Sequence, residues 1–231
     1  MWESAQEFKQ QAEDNGWRER PMVETNTPQL YNVRVQSIKP LPPPSEYWRK
    51  YPSTKAVQRQ VARHRNEIER IIAGEDDRML MIVGPCSVHD PEACLEYAKL
   101  LAVLADEVKD RILIAMRVYF EKPRTTVGWK GYINDPTLNG TYDVESGMAR
   151  AREFLLEVCG VGLPAATELL EPFTPQYLGD LISWGAIGAR TTESQTHRMM
   201  ASGLSMPIGF KNGTGGTVDI AVDGIVAARS E

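Results

Sequence analysis

Met79-Leu80-Met81-Ile82-Val83-Gly84-Pro85-Cys86-Ser87-Val88-His89-Asp90-Pro91 is the stretch from which the fold class can be read. Five apolar residues closed by Gly84-Pro85 are too few for a helix and suit a buried strand. Asp90 then reads as a helix cap with Pro91 at the first helical position, and Leu95, Ala98, Leu101, Ala102, Ala105 and Val108 recur on one helical face. Further apolar runs follow at Ile112–Val118, Ala165–Leu170, Ala186–Ala189 and Met206–Phe210, most with a helical segment after them, the last at Val218–Ala228. Strands alternating with helices imply a parallel sheet, either doubly wound or closed into a barrel. No GxGxxG follows the first strand, which weighs against a dinucleotide site. Residues 79–231 hold five such units, so eight at that spacing would need about 245 residues, near the ~250 typical of a (β/α)8 barrel. The expected fold is therefore α/β, a (β/α)8 TIM barrel of which about five units are present, with three units unaccounted for after Glu231.

The remainder of the chain sets the boundaries. Residues 1–52 are polar and punctuated by proline, ending in Lys39-Pro40-Leu41-Pro42-Pro43-Pro44, which favours an extended arm or linker; a recognition motif for a proline-binding domain is the alternative. Tyr31–Val35 alternates enough for one short strand. Residues 53–78 read as an amphipathic helix and connector. Ser53 or Thr54 caps it, Val57, Val61, Ile68, Ile71 and Ile72 form its apolar stripe, and Gly74 ends it.

Composition excludes several classes of function. The 231 residues carry 26 basic and 31 acidic side chains, a formal charge of −5, so no global basic field exists to hold nucleic acid or an anionic membrane. The longest apolar runs fall far short of the roughly 18 residues of a membrane helix, and the amino terminus lacks the basic-then-apolar pattern of a secretory signal. Three cysteines, Cys86, Cys94 and Cys159, form no metal-type pair and leave one over if two bond, which suits a reducing, cytoplasmic compartment.

In parallel α/β folds the loops after the strands build the active site. Here they carry cations: Arg117, Lys122 and Arg124 after the second strand, Arg190 after the fourth and Lys211 after the fifth, with Glu168 ending the third. Such a mouth would repel itself unless anions occupied it, and guanidinium forks suit bidentate carboxylate or phosphate pairing. Helix amino termini after Thr192 and Gly216 would add backbone donors. The competing reading is a set of surface ion pairs with Glu121, Glu168 and Glu193. Cys86 is either a small apolar filler or a ligand or nucleophile at a strand end. His89 is a ligand or merely helps start the helix. His64 and His197 read as structural or solvated, Cys94 and Cys159 as packing residues, and no Ser-His-Asp arrangement is present.

Four longer motifs carry a resemblance: Gly84–Pro91, Lys122-Pro123-Arg124-Thr125-Thr126-Val127-Gly128-Trp129-Lys130-Gly131, Gly188-Ala189-Arg190-Thr191-Thr192-Glu193-Ser194-Gln195 and Gly209-Phe210-Lys211-Asn212-Gly213-Thr214. In that order they closely resemble 3-deoxy-D-arabino-heptulosonate 7-phosphate (DAHP) synthase, in the group regulated by aromatic amino acids, from about Tyr31 onward. The resemblance implies a barrel that condenses phosphoenolpyruvate with erythrose 4-phosphate at the entry to the shikimate pathway. It implies that Arg117, Lys122, Arg190, Lys211 and the Ala189 backbone hold phosphoenolpyruvate, and that Glu168 positions water or a basic side chain. Arg124 and Thr125 would take the aldose phosphate, and Cys86 would ligate a divalent metal ion that polarises the aldehyde. It also implies a homo-oligomer and an aromatic amino acid effector. Gly215 and Thr167 depart from the family's usual residues. The family's other metal ligands, a His, a Glu and an Asp, and a further phosphate-binding Arg come from later strands, beyond Glu231. The complete protein would thus be the enzyme and residues 1–231 alone inactive; the alternative is a non-catalytic assembly or effector-binding partner of a full-length synthase.

Overall fold

Local signals place the elements. The computed structural model describes residues 30–35 and 37–230, and the chain divides into two units, Met1–Pro40 and Leu41–Glu231. In the second unit, helices α1 (Pro44–Lys50) and α2 (Lys55–Ala73) precede β1 (Met79–Val83), α3 (Pro91–Val108), β2 (Ile112–Arg117) and α4 (Val144–Gly160). Then come β3 (Ala165–Glu168), the short α5 (Thr174–Leu178) with a 3-10 turn at Gly179–Leu181, β4 (Trp184–Ile187), α6 (Gln195–Ser202), β5 (Ile208–Phe210) and α7 (Asp219–Ser230). Side-chain caps fix the helix starts: Thr54 accepts from the Val57 amide, Asp90 from Ala93, Asp143 from Ser146 and Ser194 from His197. Gly74 ends α2 in the left-handed conformation with φ 75°.

The five strands pair in parallel in the order β1-β2-β3-β4-β5. Each right-handed crossover therefore steps one place in the same direction and leaves its helices on one face. A doubly wound sheet reverses direction at a switch point; this one does not, and it is a singly wound half-barrel. Its core lies between sheet and helices: Met116 and Phe120 pack with Met148, Phe154 and Leu155 of α4 and with Ala98 and Leu101 of α3. Phe120 and Phe154 meet edge to face at 6.1 Å.

Several expectations need correction. Tyr31–Val35 is a turn, not a strand: Asn32 sits at φ 58° and the Val35 amide donates to the Asn32 carbonyl. Asparagine tolerates that conformation, so the alternation of the flanking residues has no sheet to serve. Residues 44–50, expected as linker, form α1, because Pro44 suits a first helical turn and Tyr47 finds a core site, 5% exposed, edge to face with Tyr177 at 5.2 Å. The fourth strand begins and ends two residues earlier than expected. Gly188 turns the chain, its carbonyl accepting from the Thr191 and Thr192 amides. Those amides are consequently engaged within their own turn, as is the Gly216 amide on the Gly213 carbonyl.

Candidate active site at the strand ends

Parallel register carries the site residues to the carboxyl ends of neighbouring strands. Arg117 closes β2, and its terminal nitrogen donates to the Cys86 carbonyl at 3.1 Å. The Lys122 ammonium donates to that carbonyl at 3.2 Å and to the Cys86 thiol at 3.0 Å. Tyr119, which sequence reasoning missed, is the plate beneath the cations: the Arg117 guanidinium lies 3.8 Å and the Lys211 ammonium 4.9 Å from its ring centre. Its only sequence signal is its place two residues beyond Arg117. Lys211 also pairs with Glu168, whose residue is 7% exposed. Gly188 makes that pairing fit, because a Cβ there would lie 2.6 Å from a Glu168 carboxylate oxygen.

The outer rim comes from the loop after β2. Arg190 donates to the Thr125 hydroxyl at 3.0 Å, and Arg124 folds back on the Trp129 carbonyl at 2.8 Å. Thr192, also missed, ties the β4 and β5 ends together, its hydroxyl placed 2.9 Å from the Gly188 carbonyl and 2.8 Å from that of Lys211. Ala189 sits in the turn between Gly188 and Arg190. Thus Arg117, Lys122, Lys211, Glu168 and Cys86 share one space, with Arg190 and Thr125 joined beside it. Among the ion pairs of the described residues, Lys211–Glu168 is the one that involves these cations; Arg117, Lys122, Arg124 and Arg190 have no carboxylate partner. The competing picture of self-neutralising surface pairs therefore fails, and the arrangement can receive a multiply charged anion. The remaining candidates are structural. His64 and His197 are buried on helices, and Cys94 and Cys159 are buried free thiols. Thr167 hydrogen-bonds the Val118 carbonyl at 2.8 Å, stitching β3 to the end of β2.

Cys86 is exposed, and the hydrogen bond from Lys122, then the charges of Lys122, Arg117 and Arg124, hold its thiol below the ordinary cysteine range. Burial pushes the Cys159 thiol up to about 12. Without added metal at pH 7.5, iodoacetamide should alkylate Cys86 while Cys94 and Cys159 survive until the protein unfolds, as peptide mass analysis would show. Lys122→Met should slow Cys86 by about fivefold and move the midpoint of its pH–rate profile upward. An unmoved midpoint would remove Lys122 as the source of the acidity.

A thiolate-prone cysteine is a sound metal donor, but catalytic divalent ions take about three protein ligands. Among the described residues no group of three or more His, Cys, Asp or Glu side chains is placed to hold one. The described residues therefore do not by themselves fit a metal ion.

Comparison with known proteins agrees with this geometry. The DAHP synthetase I family model matches residues 54–231. Phospho-2-dehydro-3-deoxyheptonate aldolase, Tyr-sensitive, of Salmonella typhimurium is 57% identical over 199 residues, covering 86% of this chain and 56% of that protein. The Phe-sensitive protein of that name from Escherichia coli is 55% identical over 197 residues, covering 85% and 56%. The solved structure of phospho-2-dehydro-3-deoxyheptonate aldolase from Francisella tularensis superposes with a TM-score of 0.82 at 51% identity, covering 84% of this chain and 57% of that one. The chain spans a little over half the length of the curated relatives it matches. A half-barrel with this cationic mouth, matched by the family model from Thr54 onward, belongs to the DAHP synthetase I family.

Proposed function

We propose that this chain supplies the anion-binding half of a site that condenses phosphoenolpyruvate with erythrose 4-phosphate and water, giving DAHP and phosphate, the first step of the shikimate pathway. One observation supports the reading: Arg117 and Lys211 lie over Tyr119, Arg117 and Lys122 meet at Cys86, and among the described residues Glu168 is the one carboxylate paired with these cations. Arg117, Lys122, Arg190, Lys211 and the Ala189 backbone hold the phosphate and carboxylate of phosphoenolpyruvate, while Arg124 and Thr125 take the aldose phosphate. The enol carbon bonds to the aldehyde carbon, water adds at the neighbouring carbon and phosphate leaves. Lys122 gives a proton to the aldehyde oxygen, and Glu168, paired with Lys211, orients the Lys211 amine or the incoming water. Cys86 is a ligand of the divalent ion on which the family depends.

The finer architecture belongs to the same reading: an arm at 1–52, a helical connector at 53–78, and at 79–231 five units of a closed (β/α)8 barrel. The Tyr- and Phe-sensitive relatives support an aromatic amino acid effector. Assembly as a homo-oligomer belongs to the same reading. Among the described residues no helix is long and apolar enough to cross a membrane; a cytoplasmic location belongs to the same reading.

Binding tests this without turnover. Titrated calorimetrically, residues 1–231 should bind phosphoenolpyruvate in the millimolar range. A charge-assisted hydrogen bond is worth about 1.5–3 kcal/mol, so Arg190→Ala should weaken binding about tenfold or more. Lys109→Ala, which alters an exposed cation paired with Asp106 on another face, should change nothing. Equal affinity in wild type and Arg190→Ala would overturn the anion site.

A further inference from the structure

Behind the mouth a buried polar chain joins three of its loops. Glu121 follows β2 and forms an isolated antiparallel bridge with Gly131, and the Lys122 amide donates to the Lys130 carbonyl at 2.8 Å, closing the base of the loop that carries Lys122, Arg124 and Thr125. Gly131 permits the closure: its φ is +114° and a Cβ would lie 2.1 Å from the Phe120 carbonyl oxygen. The Glu121 side chain turns inward. The residue is 2% exposed, and its carboxyl group accepts from the Leu170 amide at 3.4 Å and the Thr174 hydroxyl at 3.3 Å. Leu170 lies two residues past Glu168, where the β3 ladder has ended. Its carbonyl in turn is 2.7 Å from His197 Nε2, while Nδ1 of that ring is 2.8 Å from the Ser194 hydroxyl that caps α6. Leu170 thus has its N–H held by Glu121 of the β2 loop and its C=O, in the next peptide group, held by His197 beyond β4. That pairing requires the proton on Nε2, leaving Nδ1 to accept from Ser194.

We propose that Glu121 is a positioning residue of this site, fastening the base of the 122–130 loop to the turn after Glu168 so that the aldose-side and phosphoenolpyruvate-side groups keep a common frame. The ligand names rest on the function proposed above; the clamp does not. Burial first, and then the neighbouring Glu171 charge, push Glu121 up to about 8, against the amide and hydroxyl donors that favour its charged form. Among the described residues Glu121 forms no ion pair: Glu171 shares the turn, His197 hydrogen-bonds the Leu170 carbonyl, and Lys122 points to Cys86. The carboxyl group stays uncharged in the clamp up to about 8 but ionises from its ordinary value of 4.5 once exposed, so the clamp is firmest below that value and is lost progressively as pH rises through about 8. Glutamine copies the uncharged form in shape and hydrogen bonding.

Hydrogen exchange on residues 1–231 tests this directly, with phosphoenolpyruvate binding measured in parallel. At pH 5, Glu121→Ala should lower protection of amides 122–131 and of Leu170 about tenfold, leave α3 unchanged, and weaken phosphoenolpyruvate binding, while Glu121→Gln should match wild type. By pH 9 wild type should lose loop protection that Glu121→Gln keeps. Protection in Glu121→Ala at pH 5 within twofold of wild type, or wild type and Glu121→Gln running in parallel from pH 5 to 9, would overturn the clamp. If Glu121→Ala does not fold, the comparison of wild type with Glu121→Gln across pH decides. If wild type binds no phosphoenolpyruvate, the proposed function fails while the exchange data still judge the clamp.

Discussion

Residues 1–231 mixed with phosphoenolpyruvate, erythrose 4-phosphate and manganese should show no loss of phosphoenolpyruvate. The same residues joined to the carboxyl-terminal part of the Salmonella typhimurium relative, 57% identical over the shared region, should turn over. Two arguments predict the difference. β1 and β5 are the outer strands of the sheet. Apolar side chains stand exposed beside them, Met79 and Met81 on β1, Leu100, Val103 and Leu104 on α3, and Val222, Ile225 and Val226 on α7. Closing strands would cover such surface, and without them the polypeptide should self-associate. The second argument is chemical. Among the described residues the five strand ends present the cations proposed to hold phosphoenolpyruvate but no group of three or more side chains placed to hold a metal, against the roughly three protein ligands of a catalytic ion. Fixed geometry between two reactants supplies about 7–11 kcal/mol of a typical barrier, so an incomplete mouth should cost at least about a thousandfold in rate. Comparable rates for the short and joined chains would overturn the strand count and the ligand argument together. A joined chain that folds yet stays inactive would favour the non-catalytic partner role instead.

Arg152→Ala should be the most damaging single substitution for stability. The residue is fully buried. Its Nε donates to the Tyr51 carbonyl at 2.8 Å, one terminal nitrogen to the Tyr177 carbonyl at 2.8 Å and to an Asp180 oxygen at 2.6 Å, and the other to the second Asp180 oxygen at 2.9 Å. One side chain on α4 therefore holds the end of α1, the end of α5 and the turn after it. Alanine would orphan two carbonyls and open a cavity as large as the side chain. Breaking a buried pair costs about 3–5 kcal/mol. The lower part of that range applies, because Asp180 keeps 34% of its side chain in water. Against a total of about 5–15 kcal/mol for a domain, that loss should shift the urea midpoint strongly or prevent folding. A change under about 1 kcal/mol would show that the fork is not what fastens α1 and α5 to α4.

Arg152 also marks the boundary between local and tertiary information. It lies at i+4 from Met148 and i−3 from Leu155, on the face α4 buries, yet between Arg150 and Glu153 it reads as part of a solvated charged stretch. Local physics made much of the rest readable. Capping side chains, the 3.6-residue stripe of α2 and the short apolar runs depend on neighbours a few positions away, so α2, α3 and all five strands were expected within a few residues of where they lie. The cations after successive strands were readable too, because parallel strands must bring their carboxyl ends to one side. Helix α1 was hidden in a proline-rich segment, since its stability comes from Tyr47 meeting Tyr177, 130 residues away, and not from local propensity. Which cation would be neutralised depended on strand register, which sets Lys211 against Glu168 across 43 residues and leaves Arg117 and Lys122 free of carboxylates. Glu121 looked like a counter-ion for the cations beside it. Its inward turn onto Leu170, 49 residues away, removes it from water and pushes its carboxyl group up to about 8, because the cost of burying a charge is set by surroundings that only the folded chain assembles.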